Sequence, residues 1–432
     1  MSVISKLTTL SAAGAGEADV YWINLLYGGG GISRANGVAV DSSKNVIMSG
    51  RTDADGAGST DFLIAKYDAS GVLQWDRTLG GSGFEQSFDV ALDSSNNIVV
   101  AGTTNSDGAG SNDALVAKYN SSGTLQWDKT LGDSGSQTAS SVAVDSSDNI
   151  IIGGGTPFNK GLLAKYNSSG ALQWDKEYGS SVTTIQGIAV DSSDNIIAAG
   201  YTSADGAGGN DIFIAKFNSS GALSWDKTLG GSGEEYAYAV SVDSSDNIYV
   251  AGMTNSDGYG GFDALLAKYN SSGTLQWDRT LGDISTDRGL GVTLDSSNNA
   301  IIVGATGGVP SWLIAKYNSS GTLQWQRTLG DSETNYAQSV TTDSADNIII
   351  GGYRVNGSDQ EAMIVKLPPD GSGTGTYAGD IVYASSSLTD AAAVLTDATA
   401  VLSLSNAGLT SADAVLTDAA AVLTDLSYEV TP

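Results

Sequence analysis

The 432-residue sequence predicts an all-β fold, a closed ring of seven four-stranded blades with an appendage at each end. Three observations predict it. A unit of roughly 50 residues recurs, each copy holds four short strand signals, and the marker residues of the unit each count seven. The Asp of the segment DSSxN stands at Asp41, Asp93, Asp145, Asp191, Asp243, Asp295 and Asp343. The Lys of the AKY-like segment stands at Lys66, Lys118, Lys165, Lys216, Lys268, Lys316 and Lys366. A Trp recurs at Trp22, Trp75, Trp127, Trp174, Trp225, Trp277 and Trp325.

Local chemistry explains each element in order. Val-Ala-Val before the Asp and Ile-Ile-Val-Ala after the Asn are apolar and partly β-branched, which favours strands. Asp-Ser-Ser-x-Asn between them is turn chemistry, because Asp bonds its own backbone and Asn tolerates the left-handed region. Leu-Leu-Ala-Lys-Tyr and Thr-Leu-Gln-Trp-Asp-Lys form a second hairpin across Asn-Ser-Ser-Gly. Four strands in this length is the blade period of a β-propeller and not a helical-repeat period.

The Trp series is offset from the others. Trp22 precedes the first Asp, and no Trp strand follows Lys366. Ring closure resolves this: the strand around Trp22 (19–27) becomes the outermost strand of the seventh blade and hides both sheet edges. The alternative closing strand, Gly375-Thr376-Tyr377, is set out of register by Pro368-Pro369.

Composition narrows the chemistry. There are 20 Lys+Arg against 48 Asp+Glu, a net charge of −28, and neither Cys nor His. A thiolate nucleophile, an imidazole base, a Ser/His/Asp triad and a nitrogen/sulfur zinc site are excluded. The acidity disfavours nucleic acid as a partner. Carboxylate and carbonyl oxygens suit hard cations such as calcium. No apolar run is long enough for a membrane-spanning helix, and Thr-Thr-Leu-Ser interrupts the apolar stretch that a secretory signal would need.

The units GVAVDSSDNI, IIVAG, DALLAKYNSSG and TLQWDKTLG resemble SBBP-type β-propeller repeats of bacterial and phage proteins, over about residues 19–367. The resemblance implies a seven-bladed propeller and leaves the role open, since such repeats occur in many surface proteins.

Strand alternation puts the DSSxN and NSSG turns on one face and the two longer loops of each blade on the other. The first face is nearly the same in every blade, so its Asp and Asn read as turn formers. The Lys of AKY and the basic residue after Trp also read as structural, with partners unassigned because a one-residue slip reverses their face. Function is expected on the variable face. Acidic glycine loops there carry Asp53, Asp55 and Asp61; Asn105, Asp107 and Asp113; Asp205 and Asp211; and Asn255, Asp257 and Asp263. The pattern is like the first half of a calcium loop but lacks the closing bidentate Glu, so plain turns and a calcium site are both open. Phe84, Phe88, Tyr236, Tyr238, Tyr259, Phe262 and Tyr336 are the candidate ligand-binding aromatics, suited to sugars or protein surfaces, with wedging between blades as the structural alternative. Glu85, Glu234, Glu235, Asp287 and Glu333 are the carboxylates a glycosidase would draw on, but no spacing selects a pair. No catalytic residue is assigned.

The sequence divides into an N-terminal docking segment (1–18), the propeller (19–367), a linker (368–379) and a tail (380–432). In the tail, Leu recurs every seventh residue from Leu388 through Leu423, with Thr-Asp-Ala-Ala cassettes between. The period fits a helical seam, and such a helix needs partner copies because alone it is marginal. A helix joining own copies is therefore the first expectation, with stacked β and a wrapped or flexible segment as alternatives. Both ends resemble those of structural proteins of marine cyanophage-like tailed viruses. The expected role is a non-enzymatic virion component (tail fibre, tail accessory or capsid surface) displaying the propeller to neighbouring virion proteins or to a host-surface glycan or protein. A secreted or surface-bound bacterial lectin or adhesin is the alternative, and a carboxylate-based glycosidase a distant third.

Overall fold

The computed structural model describes residues 10–11, 20–27, 31–179, 182–308, 311–377, 381–393, 395–398, 400, 404–405, 410–413, 417–419 and 424–428. Most of the 1–18 segment thus lies outside the described residues, apart from Leu10–Ser11, which pairs with Val20–Tyr21. From the axis outward, the first blade is Ser33–Val40, Val46–Thr52, Asp61–Tyr67 and Leu73–Gly80. Five blades repeat this order. The seventh takes Asn335–Thr342, Ile348–Asn356 and Asp359–Leu367 from one end of the ring and Val20–Tyr27 from the other. Trp22 pairs with Lys366 as Trp75 pairs with Lys66, so the closing strand sits in the register of every other blade. The rival segment Gly375–Tyr377 pairs instead with Ile381–Ser385 outside blade six.

Each core cluster is built from two adjacent blades, so every blade completes its core with both neighbours. Ile47, Phe62 and Leu79 of blade one, for example, pack with Val90, Ile98 and Leu115 of blade two. Trp312, the one Trp outside the repeat, is fully buried in the cluster of blades six and seven.

The residues shared by all blades staple neighbours together. Asp41 folds its own turn by accepting the N–H groups of Ser43 and Asn45 at 2.9 and 2.8 Å. Lys66 meets the same carboxylate at 2.9 Å and donates to the carbonyl of Ser121 in the next blade at 3.2 Å. Equivalent pairs join Lys118 to Asp93, Lys165 to Asp145, Lys216 to Asp191, Lys316 to Asp295 and Lys366 to Asp343, all within 3.3 Å. In blade five the pair opens to 3.9 Å, because the Tyr249 hydroxyl reaches Asp243 and the Lys268 ammonium lies over the Tyr249 ring. Burial pushes the Asp41 carboxyl up, but hydrogen bonds from Asn45 and Lys66 outweigh it and leave it below its ordinary value. The glycine of each NSSG-type hairpin meets the Trp of the preceding blade: Gly123 has φ +79°, and a Cβ there would lie 2.8 Å from the Trp75 ring. Gly371, in the Pro-Pro-Asp-Gly turn, does the same over Trp325.

The tail corrects the helical expectation. Its described residues are short strands, and they add a fifth strand to every blade in turn, circling the ring in the order six, five, four, three, two, one, seven. Val382 pairs with Gly330, Thr389 with Gly282, Thr396 with Gly230, Thr410 with Gly132, Thr417 with Gly80 and Thr424 with Tyr27. All these pairings are antiparallel. The seven-residue period is therefore the step from blade to blade. Leu388 packs against the core shared by blades five and six, and Leu395 against that of blades four and five. Thr and Asp in each cassette are weak helix formers, while each outer strand presents an unpaired edge that backbone hydrogen bonding satisfies.

Candidate functional site

The site is built by the innermost strands. In each of them one residue has no partner on the second strand, so every blade carries a β-bulge at the same place. The bulged residues are Asn36, Phe88, Ser140, Gln186, Tyr238, Leu290 and Gln338. A bulge re-aims its side chain out of the ladder, and all seven residues line one axial cavity of about 370 Å3, together with Arg34, Gln86 and Thr138. A second chamber of about 350 Å3 shares them and extends along the inner strands to Val40, Leu92, Val292 and Thr341. The residues following the bulges are small because neighbouring strands crowd there. A Cβ on Gly37 would lie 2.9 Å from the Val90 nitrogen. Asp89 is the charged residue in this row; it accepts from Ser141 Oγ at 2.8 Å and Val142 N–H at 3.0 Å, and burial pushes its carboxyl up.

Around the mouth, each residue two before the bulge pairs across to the second strand. Arg34 pairs with Arg51 and Tyr336 with Tyr353. The Arg34 guanidinium lies 4.3 Å over the Tyr353 ring, and Tyr336 and Tyr353 are 5.4 Å apart. Arg34 Nε donates to Gln360 and Arg51 donates to Gln86 at 3.0 Å, both neutral acceptors. Opposite, Tyr236 packs on Tyr201 at 4.9 Å, Phe262 at 6.1 Å and Tyr238 at 6.5 Å.

Of the aromatics expected to bind ligand, Phe88 and Tyr238 line the cavity. Tyr236, Tyr336 and Phe262 belong to clusters at the mouth, and Phe84 joins through Arg51, 5.9 Å above its ring. Tyr259 stands apart, 53% exposed on an acidic loop. Sequence reasoning missed Arg34, Arg51, Asn36, Gln86, Gln186 and Gln338. For the bulged Asn36, Gln186 and Gln338 the signal was available: their position in the repeat holds six residue types in seven copies.

The acidic glycine loops are organised by their own carboxylates. Asp61 accepts N–H groups of Ala57 and Gly58, Asp113 that of Gly110, Asp211 that of Ala207 and Asp263 that of Tyr259. Asp55, Asp107, Asp205 and Asp257 each accept the N–H of the following Gly. Asn105 and Asn255 accept at 2.6 Å from the N–H groups of Phe84 and Glu234, which lead into the innermost strand of the same blade, and Asp53 accepts likewise from Ile32. Burial pushes Asp61, Asp113 and Asp211 up, and Asp263 up to about 6. Among the described residues no group of three His, Cys, Asp or Glu stands together as a metal cluster. Four of the five carboxylates a glycosidase would use are similarly engaged. Glu85 accepts from Gly81 N–H and Thr104 Oγ1, Glu235 from Gly231 and Thr254, and Asp287 from Asp283 and Gly307. Glu234 accepts from the Tyr236 hydroxyl at 2.9 Å.

Family models match parts of the repeat array. Residues 229–260 match the SBBP beta-propeller repeat, and residues 94–125 and 192–223 match a beta-propeller domain of unknown function, DUF5122. A stretch of 126 residues is 27% identical to the regulatory protein FlaEY of Caulobacter vibrioides, covering 26% of this chain and 13% of that protein's length. Among solved structures, a polysaccharide lyase, Uly1, superposes with TM-score 0.49 at 9% identity, over 85% of this chain and 98% of the lyase. A catalytically inactive virginiamycin B lyase from Staphylococcus aureus, solved with quinupristin, gives TM-score 0.47 at 10% identity, over 80% and 99%. The chain is a seven-bladed β-propeller that carries SBBP-type repeats.

Proposed function

We propose that the protein is a non-enzymatic binding propeller whose ligand enters the axial funnel on the variable face. The observation that carries this reading is the ring of bulges: at the one inner-strand position freed from the ladder, the blades differ, and all seven side chains converge on one cavity. Aromatic rings, amides and hydroxyls without a free carboxylate pair suit recognition more than hydrolysis. For the setting, we propose a component of a virion surface, on the resemblance of the chain ends, with the propeller displayed toward a host-surface partner. A secreted or cell-surface lectin is the second reading, favoured by the mixture of Tyr, Gln and Asn at the mouth. Binding to a glycan panel tests the funnel, and Gln186→Ala with Gln338→Ala is expected to abolish it; binding that survives both changes refutes the site. Antibody labelling of purified particles tests the setting, and particles without label refute the virion proposal.

A further inference from the structure

We infer that the funnel recognises a carboxylated sugar, with the carboxylate held in the sector formed by Arg34, Arg51 and Arg288. This inference rests on the binding reading above and names the ligand class. The sector spans three adjacent blades, with Arg288 in blade six, Tyr336 and Tyr353 in blade seven and Arg34 and Arg51 in blade one. Arg34 lies over the Tyr353 ring, Arg51 pairs across from Arg34, and Arg288 occupies in blade six the same rim position, two before the bulge, that Tyr336 holds in the neighbouring blade seven.

Several independent features make this a site for an anion. Arg34 and Arg51 stand directly opposite each other on paired strands, an arrangement of like charges that costs stability. Arg34 Nε and Arg51 Nη1 donate to the amide oxygens of Gln360 and Gln86, neutral acceptors that leave the charge in place. Among the described residues the Arg51 Nε is buried without an acceptor, and such a group is costly unless something meets it. Among the fourteen bulge and rim positions there is no Asp or Glu, in a chain with 48 of them. Four Arg lie outside the repeated positions; Arg354 is consumed by Glu361 and Asp331, and the other three are these.

The rest of the lining selects a sugar over a simple anion. Gln86, Gln186, Gln338 and Asn36 offer paired donors and acceptors for hydroxyl groups. Phe88 and Tyr238 offer apolar ring faces. A guanidinium grips a carboxylate through two parallel N–H bonds, giving orientation as well as attraction. The volume of about 370 Å3 lies at the lower end of small-ligand sites, near 300 Å3 and above.

The test uses the full chain and calorimetric titration with oligosaccharides of galacturonate, glucuronate and mannuronate and with sialyllactose. Each is compared with its methyl ester, which removes the charge and keeps the sugar. At least one acid is expected to bind at least tenfold more tightly than its ester, with affinity falling as salt rises. Arg34→Gln and Arg288→Gln are each expected to lose about tenfold or more for the acid and little for the ester. Arg51→Gln should lose acid affinity while its melting temperature holds or rises, because a like-charge pair is relieved. A structural arginine would lower it. Arg77→Gln, outside the funnel, should bind as the parent does. Esters that bind as tightly as the acids overturn the charge inference and leave the funnel standing. If neither acids nor esters bind, both readings fail.

Discussion

Replacing Gly123 by Ala probes the joint between blades directly. Two costs combine there. At φ +79° an L-residue is strained, by about 1 kcal/mol or slightly more. The new Cβ would also lie 2.8 to 3.0 Å from three atoms of the Trp75 ring, closer than such contacts occur. Because the ring is clamped between two blades, relief requires the hairpin to lift, an overpacking cost of about 1–3 kcal/mol. The expected total is about 2–4 kcal/mol. Gly357 supplies the control. It has φ +65° with nothing within 4 Å of its would-be Cβ, so Gly357→Ala isolates the backbone part, about 1 kcal/mol. Urea unfolding followed by Trp fluorescence and circular dichroism gives both values. With a slope of about 3 kcal/mol/M, the Gly123 variant should shift its midpoint down by roughly 1 M. Adding Trp75→Leu should recover the overpacking part, a non-additive result expected of touching residues. If Gly123→Ala costs no more than Gly357→Ala, the Trp contact is not what fixes the glycine, and the account of the blade joint is wrong.

Three further outcomes follow from the same structure. Lys118→Met strands the buried Asp93 carboxylate and should cost about 3 kcal/mol in chemical denaturation, whereas Lys268→Met, where the pair is already 3.9 Å apart, should cost clearly less; equal losses would contradict the staple. Removing residues 378–432 exposes the outer edges of the blades, so the truncated chain should melt lower and self-associate in sedimentation; a monomer with the parental melting temperature would show that the belt is dispensable. Burial raises Asp263 and Asp278 to about 6, so the folded state binds more protons than the unfolded one between their unfolded value near 4 and that raised value. Their contribution to stability therefore grows as pH falls from about 7 to about 4.5, while the lowered Asp residues of the Lys pairs lose theirs only below about 4. Asp263→Asn should raise the melting temperature at pH 7.5 and flatten its rise toward pH 5; an unchanged slope would count against the raised carboxyl.

The propeller was legible because its signals are local and repeated. Asp41 and its six counterparts mark turns, the Trp series betrays the offset closing strand, and Trp22 falls in the expected register with Lys366. The Lys–Asp pairs were not legible as pairs, since they depend on a register that no single hairpin fixes from sequence. The tail misled for a definite reason. A seven-residue period is ambiguous between a helical seam and any lattice whose step happens to be seven residues, and the lattice here is the ring itself. In the candidate site, the aromatics were found because large side chains stand out in a Gly- and Ser-rich chain. The bulged Asn36, Gln186 and Gln338 were not: their position varies from blade to blade, but that it is freed from the ladder is a property of two paired strands.

The bulge also explains why specificity can be written into so uniform a chain. Most inner-blade positions are committed: to the ladder, to the core shared by adjacent blades, or to the Lys–Asp and Gly–Trp contacts. A change at any of these weakens a joint on which closure depends, and closure is shared by all seven blades. The bulged residue alone has no cross-strand partner, and it faces the axis, where its neighbours are the other six bulged residues. Substitution there spares the Lys–Asp and Gly–Trp contacts, although Asn36 also donates to the Ser87 carbonyl of blade two at 2.7 Å. The ring can therefore hold its geometry while the axial side chains vary, which separates the residues that keep the fold from those that, in the proposed binding role, would choose a ligand.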